Sequence, residues 1–139
     1  MNIDDIRKIE LELNIELPQH FIDYITNYPI ELTKLKTMLG ELLFLYDDPE
    51  QLISINQYLG FYGSEKLIKQ KLCIGENGGG DYYLINLKEL SDEKVYFWDH
   101  EESTERFYNE KTDTWEWEKL EFSKNLKEHE KEILEIFGQ

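Results

Sequence analysis

Residues Cys73 to His100 constrain what this chain can fold into more than any other stretch. They read C-I-G-E-N-G-G-G-D-Y-Y-L-I-N-L, pass through a polar turn L-S-D-E, and continue K-V-Y-F-W-D-H. Two runs dense in aromatic and β-branched residues with turn-forming residues between them predict a strand, a turn and a second strand. Gly78-Gly79-Gly80 stand directly before the first run. Glycine loses the most backbone freedom on folding, so three together mark a place with unusual dihedrals or a close backbone approach. Asp81 to Leu87 is expected as one strand and Lys94 to His100 as the next, with Lys71 to Ile74 before them.

The flanks read differently. Ile3, Ile6, Ile9 and Leu13 recur at helical spacing, with Asp4 and Asp5 early, where the helix dipole favours acids, and Asn2 placed to cap. Pro18 is expected as the first residue of a second helix carrying Phe21, Ile22, Tyr24, Ile25 and Tyr28, which Pro29 stops. Each helix has one apolar face, and the short link predicts a hairpin. Leu32, Leu35, Met38 and Leu39 fit a further short helix. Glu41 to Tyr46 is expected as the first strand, and Asp47 or Asp48 as the cap of helical turns led by Pro49. Gly60 to Gly63 reads as a loop with exposed aromatics, and Ser64 as the cap of a further turn. Trp115-Glu116-Trp117-Glu118 alternates strictly and predicts a last, edge-like strand. Phe122, Leu126, Ile133, Leu134 and Phe137 mark a C-terminal helix, with Ser123 as its cap. The expected fold is α+β: an antiparallel twisted sheet of about four to five strands, flanked by an N-terminal helical hairpin and a C-terminal helix, in one domain over residues 1–139.

Composition narrows the function. The chain has 139 residues, enough for a core without disulfides or metal, and 40% are hydrophobic, which argues against disorder. Its single cysteine permits no internal disulfide, which suits a reducing, cytoplasmic home. Neither a signal-like leader nor an apolar run of membrane-spanning length is present. The formal net charge of −15 would repel nucleic acid and anionic membranes and would steer in a basic protein.

Candidate chemistry is thin. The glycines lack the strand–GxGxxG–helix order and a following Lys-Ser/Thr, and Asp81 would repel a phosphate. Asp99 and His100 would point to opposite faces of a strand and so could not chelate together. His20 and His129 have no second histidine one turn away, and the calcium-loop spacing is absent. Cys73 sits between Leu72 and Ile74 with no base in view, which is the setting of a core residue. No catalytic, cofactor-binding or metal-ligating set emerges. The better lead is a partner surface of carboxylates and aromatics: Tyr62, Asp99, Glu101, Glu102, Glu105, Tyr108, Trp115, Glu116 and Glu118. Tyr83 and Trp98 are expected instead to pack helices onto the sheet. Pro18 and the Gly78, Gly79, Gly80 turn are structural.

The opening Leu13-Asn14-Ile15-Glu16-Leu17-Pro18 with Phe21, Tyr24, Ile25 and Asn27-Tyr28 resembles the SUKH superfamily, the SMI/KNR-like domains. So do Ile74-Gly75-Glu76-Asn77-Gly78-Gly79-Gly80-Asp81-Tyr82-Tyr83 and Val95-Tyr96-Phe97-Trp98-Asp99-His100-Glu101, and the likeness spans nearly the full length. The resemblance implies a mixed α+β binding module without catalytic residues or cofactors, in which Gly75, Gly80 and Asp81 support the fold. It further implies a bacterial immunity protein whose partner is a cognate toxin, often a nuclease and therefore basic. The alternative is a regulatory or scaffold interaction domain with no toxin partner. Neither reading tells whether the chain self-associates.

Overall fold

The structure, a computed structural model, describes residues 1–61, 71–99, 108–109, 111–112, 114–116 and 119–137. Tyr62 and Gly63 of the expected aromatic loop, the turn after Ser64, and the stretch from His100 to Phe107 lie outside these residues.

Helix α1 (Ile3–Leu13) opens with a capping box. The Asn2 side chain accepts the Asp5 N–H, and the Asp5 carboxylate accepts the Asn2 N–H, each at 3.0 Å. Helix α2 (Gln19–Thr26) follows Pro18, which is the N-cap rather than the first helical residue. The Pro18 carbonyl accepts the N–H groups of Phe21 and Ile22, a role that needs no donor on the proline itself. Pro29 caps α3 (Ile30–Leu39) in the same way, and Gly40, at φ 88°, ends it in the left-handed region. Helix α4 (Pro49–Phe61) begins where the Asp48 carboxylate accepts the Glu50 N–H at 3.0 Å.

The expected N-terminal hairpin is not what these helices build. Helix α1 packs chiefly on α4, not on α2, and a Lys8–Glu50 ion pair bridges the same seam. Ile6 and Ile9 of α1 and Leu52 and Ile53 of α4 are buried, so the α1 face is covered by a helix forty residues away in sequence. Adjacency along the chain favours a hairpin, but the 13-residue α4 offers the longer apolar face.

The expected sheet of four to five strands is corrected in its membership. Of the strands foreseen, only three build it: β1 (Lys71–Glu76), β2 (Tyr82–Asn86) and β3 (Val95–Trp98), all antiparallel. Residues Glu41 to Tyr46 form no strand. They run beside β1 with two backbone bonds, Tyr46 N–H to Ile74 C=O at 2.9 Å and Glu76 N–H to Leu43 C=O at 2.8 Å. Immediately before them along β1 the Asn56 side chain takes both the N–H and the C=O of Cys73. A side-chain amide has replaced the ladder partner, so pairing stops there. Of the WEWE segment, Trp115 pairs elsewhere, since β4 (Tyr108–Asn109) and β5 (Thr114–Trp115) form a separate ribbon, and Trp117 and Glu118 lie outside the described residues. Alternation shows that a segment can pair but not with which partner. The edge beyond β3 is taken by the three-residue β6 (Glu121–Ser123), where a helix start was expected. The final helix, α5 (Leu126–Phe137), begins later, and Asn125 rather than Ser123 caps it by accepting the Glu128 N–H.

Residues opposite each other on antiparallel strands share a face. Leu72, Ile85 and Val95 align on one face, followed by Gly75, Tyr83 and Phe97. Helix α5 covers that face: the His129 ring lies 4.5 Å from Tyr83, and Phe137 meets Phe44 edge-on at 4.9 Å. The other face carries Lys71 opposite Asn86, then Cys73, Leu84 and Tyr96, then Glu76, Tyr82 and Trp98. The strand β2 is thus covered on much of both faces, and Leu84, Ile85 and Asn86 are buried.

Candidate interaction surface

The glycine turn is held by its own side chains. The Asn77 N–H donates to the Asp81 carbonyl at 3.1 Å, and the Asn77 amide donates to the Asp81 carboxylate at 2.8 Å. Asn77 Oδ1 in turn accepts the N–H groups of Gly79 and Asp81. Gly78 and Gly80 lie at φ 83° and 92°, where a side chain is strained, whereas Gly79 does not. The N–H groups of Asn77, Gly79 and Asp81 and the Asp81 carboxylate are thereby engaged within the loop.

The turn presents the last rung of the sheet. Glu76, Tyr82 and Trp98 lie opposite one another on β1, β2 and β3, on one face and at one end. The Tyr82 and Trp98 rings are 5.8 Å apart with planes at 33°. Tyr58, on α4, is 53% exposed. Burial raises the pKa of the Tyr82 hydroxyl, and the charges of Cys73, Glu76, Tyr58 and Asp81 push it in the same direction. The Glu76 carboxylate accepts a hydrogen bond from the buried Tyr46 hydroxyl at 2.7 Å. Trp98 itself is 7% exposed, and its indole N–H has no acceptor among the described residues. Asp99 follows at the same end, partly buried.

Of the residues expected to bind a partner, Asp99 is the one the structure brings to this rung. Glu116 is partly buried beside the short ribbon and pairs with Lys119. The backbones of Tyr108 and Trp115 are paired in that ribbon, and Tyr62, Glu101, Glu102, Glu105 and Glu118 lie outside the described residues. Glu76 belongs to the rung and Tyr58 is exposed on α4, neither of them singled out by sequence. The signal for Tyr58 is a large aromatic out of phase with the buried positions Leu52, Ile53, Asn56 and Leu59 of its helix. Glu76 could be found only from the β1–β2 register, which contains a bulge between Cys73 and Gly75.

Reactive groups elsewhere are spent on structure. Cys73 is fully buried, and burial pushes its thiol up to about 12, so it holds no thiolate at neutral pH. Burial lowers the pKa of His129, whose Nε2 lies 2.9 Å from the Phe44 carbonyl. A carbonyl only accepts, so Nε2 carries the proton. A cleft of about 400 Å³ between α2 and the start of α5 is lined by His20, Asp23, Tyr24, Asn27, Glu93 and Lys127. Burial holds His20 below the usual histidine range, and the Tyr24 hydroxyl donates to Glu130 at 2.5 Å. Among the described residues no group of three or more His, Cys, Asp or Glu side chains is placed to hold a metal ion, and no helix is long and apolar enough to cross a membrane.

This end of the sheet thus brings half-buried Glu76, Tyr82 and Asp99 beside the buried Trp98. A family model described as the SMI1 / KNR4 family (SUKH-1) matches residues 1–116, from α1 through the short ribbon and stopping before β6 and α5. No curated protein and no solved structure matches the chain. With five-sixths of its length under that one match, the chain belongs to the SMI1/KNR4 family (SUKH-1), a family of non-enzymatic immunity proteins.

Proposed function

We propose that the chain is a cytoplasmic immunity protein that neutralises a cognate bacterial toxin domain by binding it through an acidic and aromatic surface. The toxin in this reading is basic and nuclease-like. A surface that must hold phosphates is rich in Lys and Arg, and a carboxylate-bearing protein can occupy it in place of nucleic acid. The observation that carries the reading is the Glu76–Tyr82–Trp98 rung, where aromatic rings and carboxylates share one end of the sheet. A net charge of −15 supplies the long-range attraction. Asp99 at that end, with Tyr62, Glu101, Glu102, Glu105, Tyr108, Trp115, Glu116 and Glu118 following in sequence or on the ribbon, extends the proposed contact region.

Co-expression with the C-terminal domain of the toxin encoded beside this chain tests the reading. Rescue of growth, and a complex that weakens steeply as salt is raised, are the expected results. Rescue with salt-independent binding would remove the electrostatic part. Failure to bind or to rescue would favour a regulatory or scaffold domain instead.

A further inference from the structure

The cleft between α2 and the start of α5 has a resident cation of its own. The Lys127 ammonium stands 6.0 Å from the centre of the Tyr24 ring and 3.9 Å from the Glu130 carboxylate. Both separations are at the outer limit for such contacts, and the lysine side chain is 77% exposed, so it is loosely held and easily moved. The ring and the carboxylate are fixed to each other. The Tyr24 hydroxyl donates to Glu130 at 2.5 Å, and the Glu130 side chain is only 15% exposed. We propose that a basic side chain of the protein partner enters this cleft and takes the place of Lys127 against the Tyr24 ring; this deepens the reading above and rests on the partner's being a basic protein. The cleft of about 400 Å³ falls within the usual range of ligand pockets, about 300–1,000 Å³, and has room for one long side chain. Its charge favours a cation. Asp23 and Glu93 are exposed on its walls, and with Glu130 they set three carboxylates against one ammonium. His20 adds no positive charge, because burial outweighs the charges of Glu93 and Asp92 and the Asp92 backbone and keeps its ring neutral at pH 7. Leu126 and Pro29 give the aliphatic stem of such a side chain an apolar wall. Holding Tyr24 and Glu130 in place beforehand lowers the ordering cost of binding.

The test needs no toxin. Isotope-labelled protein is titrated with the blocked peptides acetyl-Gly-Lys-Gly-amide and acetyl-Gly-Arg-Gly-amide, and with the norleucine counterpart, which keeps an aliphatic stem and has no charge. The expected result is a saturable movement of the Tyr24, Asn27 and Leu126 amide signals with the two basic peptides alone. Lys127→Ala should strengthen binding about threefold, since it vacates the position beside the ring. Asp23→Asn and Glu93→Gln should each weaken it about threefold. Lys124→Ala and Glu12→Gln make the same charge changes outside the cleft lining and should leave the affinity nearly unchanged. All of these side chains are exposed, so the variants keep the fold. An equal response to the norleucine peptide, movement confined to other residues, or Lys127→Ala binding no tighter than Lys124→Ala would overturn the proposal. Failed toxin neutralisation beside an intact response to the basic peptides would count against the immunity reading alone. Full neutralisation by a protein carrying both Asp23→Asn and Glu93→Gln would count against the cleft alone, so the two failures are distinguishable.

Discussion

Gly75 passes directly beneath the backbone of Phe44: a Cβ at residue 75 would lie 2.1 Å from the Phe44 carbonyl oxygen. Neither chain can retreat, because Tyr46 and Leu43 are hydrogen-bonded to Ile74 and Glu76 on either side of the crossing. The same Phe44 carbonyl is the acceptor for His129, so this contact ties the irregular 41–48 segment, β1 and α5 together. It is a contact between backbones, which no side-chain repacking can relieve.

Gly75→Ala should therefore cost at least about 3 kcal/mol, at or beyond the upper end of ordinary overpacking. Gly79→Ala is the control. Its added Cβ would meet only the Asn77 side chain, at 3.4 Å, and its effect should stay within about 1 kcal/mol. Urea denaturation of the two variants checks the contrast, and equal losses would show that the crossing has slack.

Asn56 is buried and satisfies the backbone of Cys73 twice, donating to its carbonyl at 2.9 Å and accepting its N–H at 2.8 Å. Asn56→Leu keeps the volume but leaves both groups of Cys73 buried and unpaired. A loss of about 2–5 kcal/mol is expected from two such groups. Amide exchange gives a local readout: the Cys73 N–H should lose protection far more than the Leu84 N–H in the middle of the sheet.

Lys71 is fully buried with its ammonium 3.9 Å from the centre of the Tyr96 ring. Burial drives its pKa down to about 7, while the charges of Asp92 and Glu89 act against the fall. The unfolded chain keeps that lysine protonated up to about pH 10.4, so between the two values the unfolded state binds more protons than the folded one. Stability from this group must then rise with pH across that window, and the burial penalty is present in full below about pH 7. Lys71→Met should raise stability at neutral pH by about 1–3 kcal/mol and flatten its rise up to about pH 9.5. Thermal melts over that range would show a parent-like slope in the variant if the idea is wrong.

His129 behaves in the same sense at lower pH. Burial outweighs the hydrogen bond to Phe44 and the charge of Glu132, and holds the ring below the ordinary histidine pKa. As pH falls through about 6.5 the unfolded chain takes up a proton that the folded chain refuses, so stability falls. His129→Gln keeps a donor for the Phe44 carbonyl and removes the titration. Its stability should decline less than the parent's between about pH 7 and pH 5. Denaturant midpoints at the two pH values decide the matter.

Much of this protein is written locally along the chain. Asn2 and Asp5, Pro18, Pro29, Gly40 and Asp48 set helix ends through contacts within a few residues, so spacing and capping chemistry alone determine α1 to α4. The same holds for β2 and β3, whose aromatic and β-branched runs favour extension whatever they pair with, and for the Asn77–Asp81 turn. Acidity and the scarcity of reactive groupings were equally plain. What the tertiary structure decided is who meets whom. Leu42 to Tyr46 have the composition of a strand, yet they make only two backbone bonds to β1, and the next position, at Cys73, is taken by Asn56 of α4. Helix α1 exchanged its sequence neighbour for α4, and the three residues of β6 took the edge beside β3. Glu76 comes opposite Tyr82 only through the bulged register of β1. Local preferences depend on dihedrals and near neighbours, whereas these pairings depend on which surfaces compete for the same face after the chain has closed on itself.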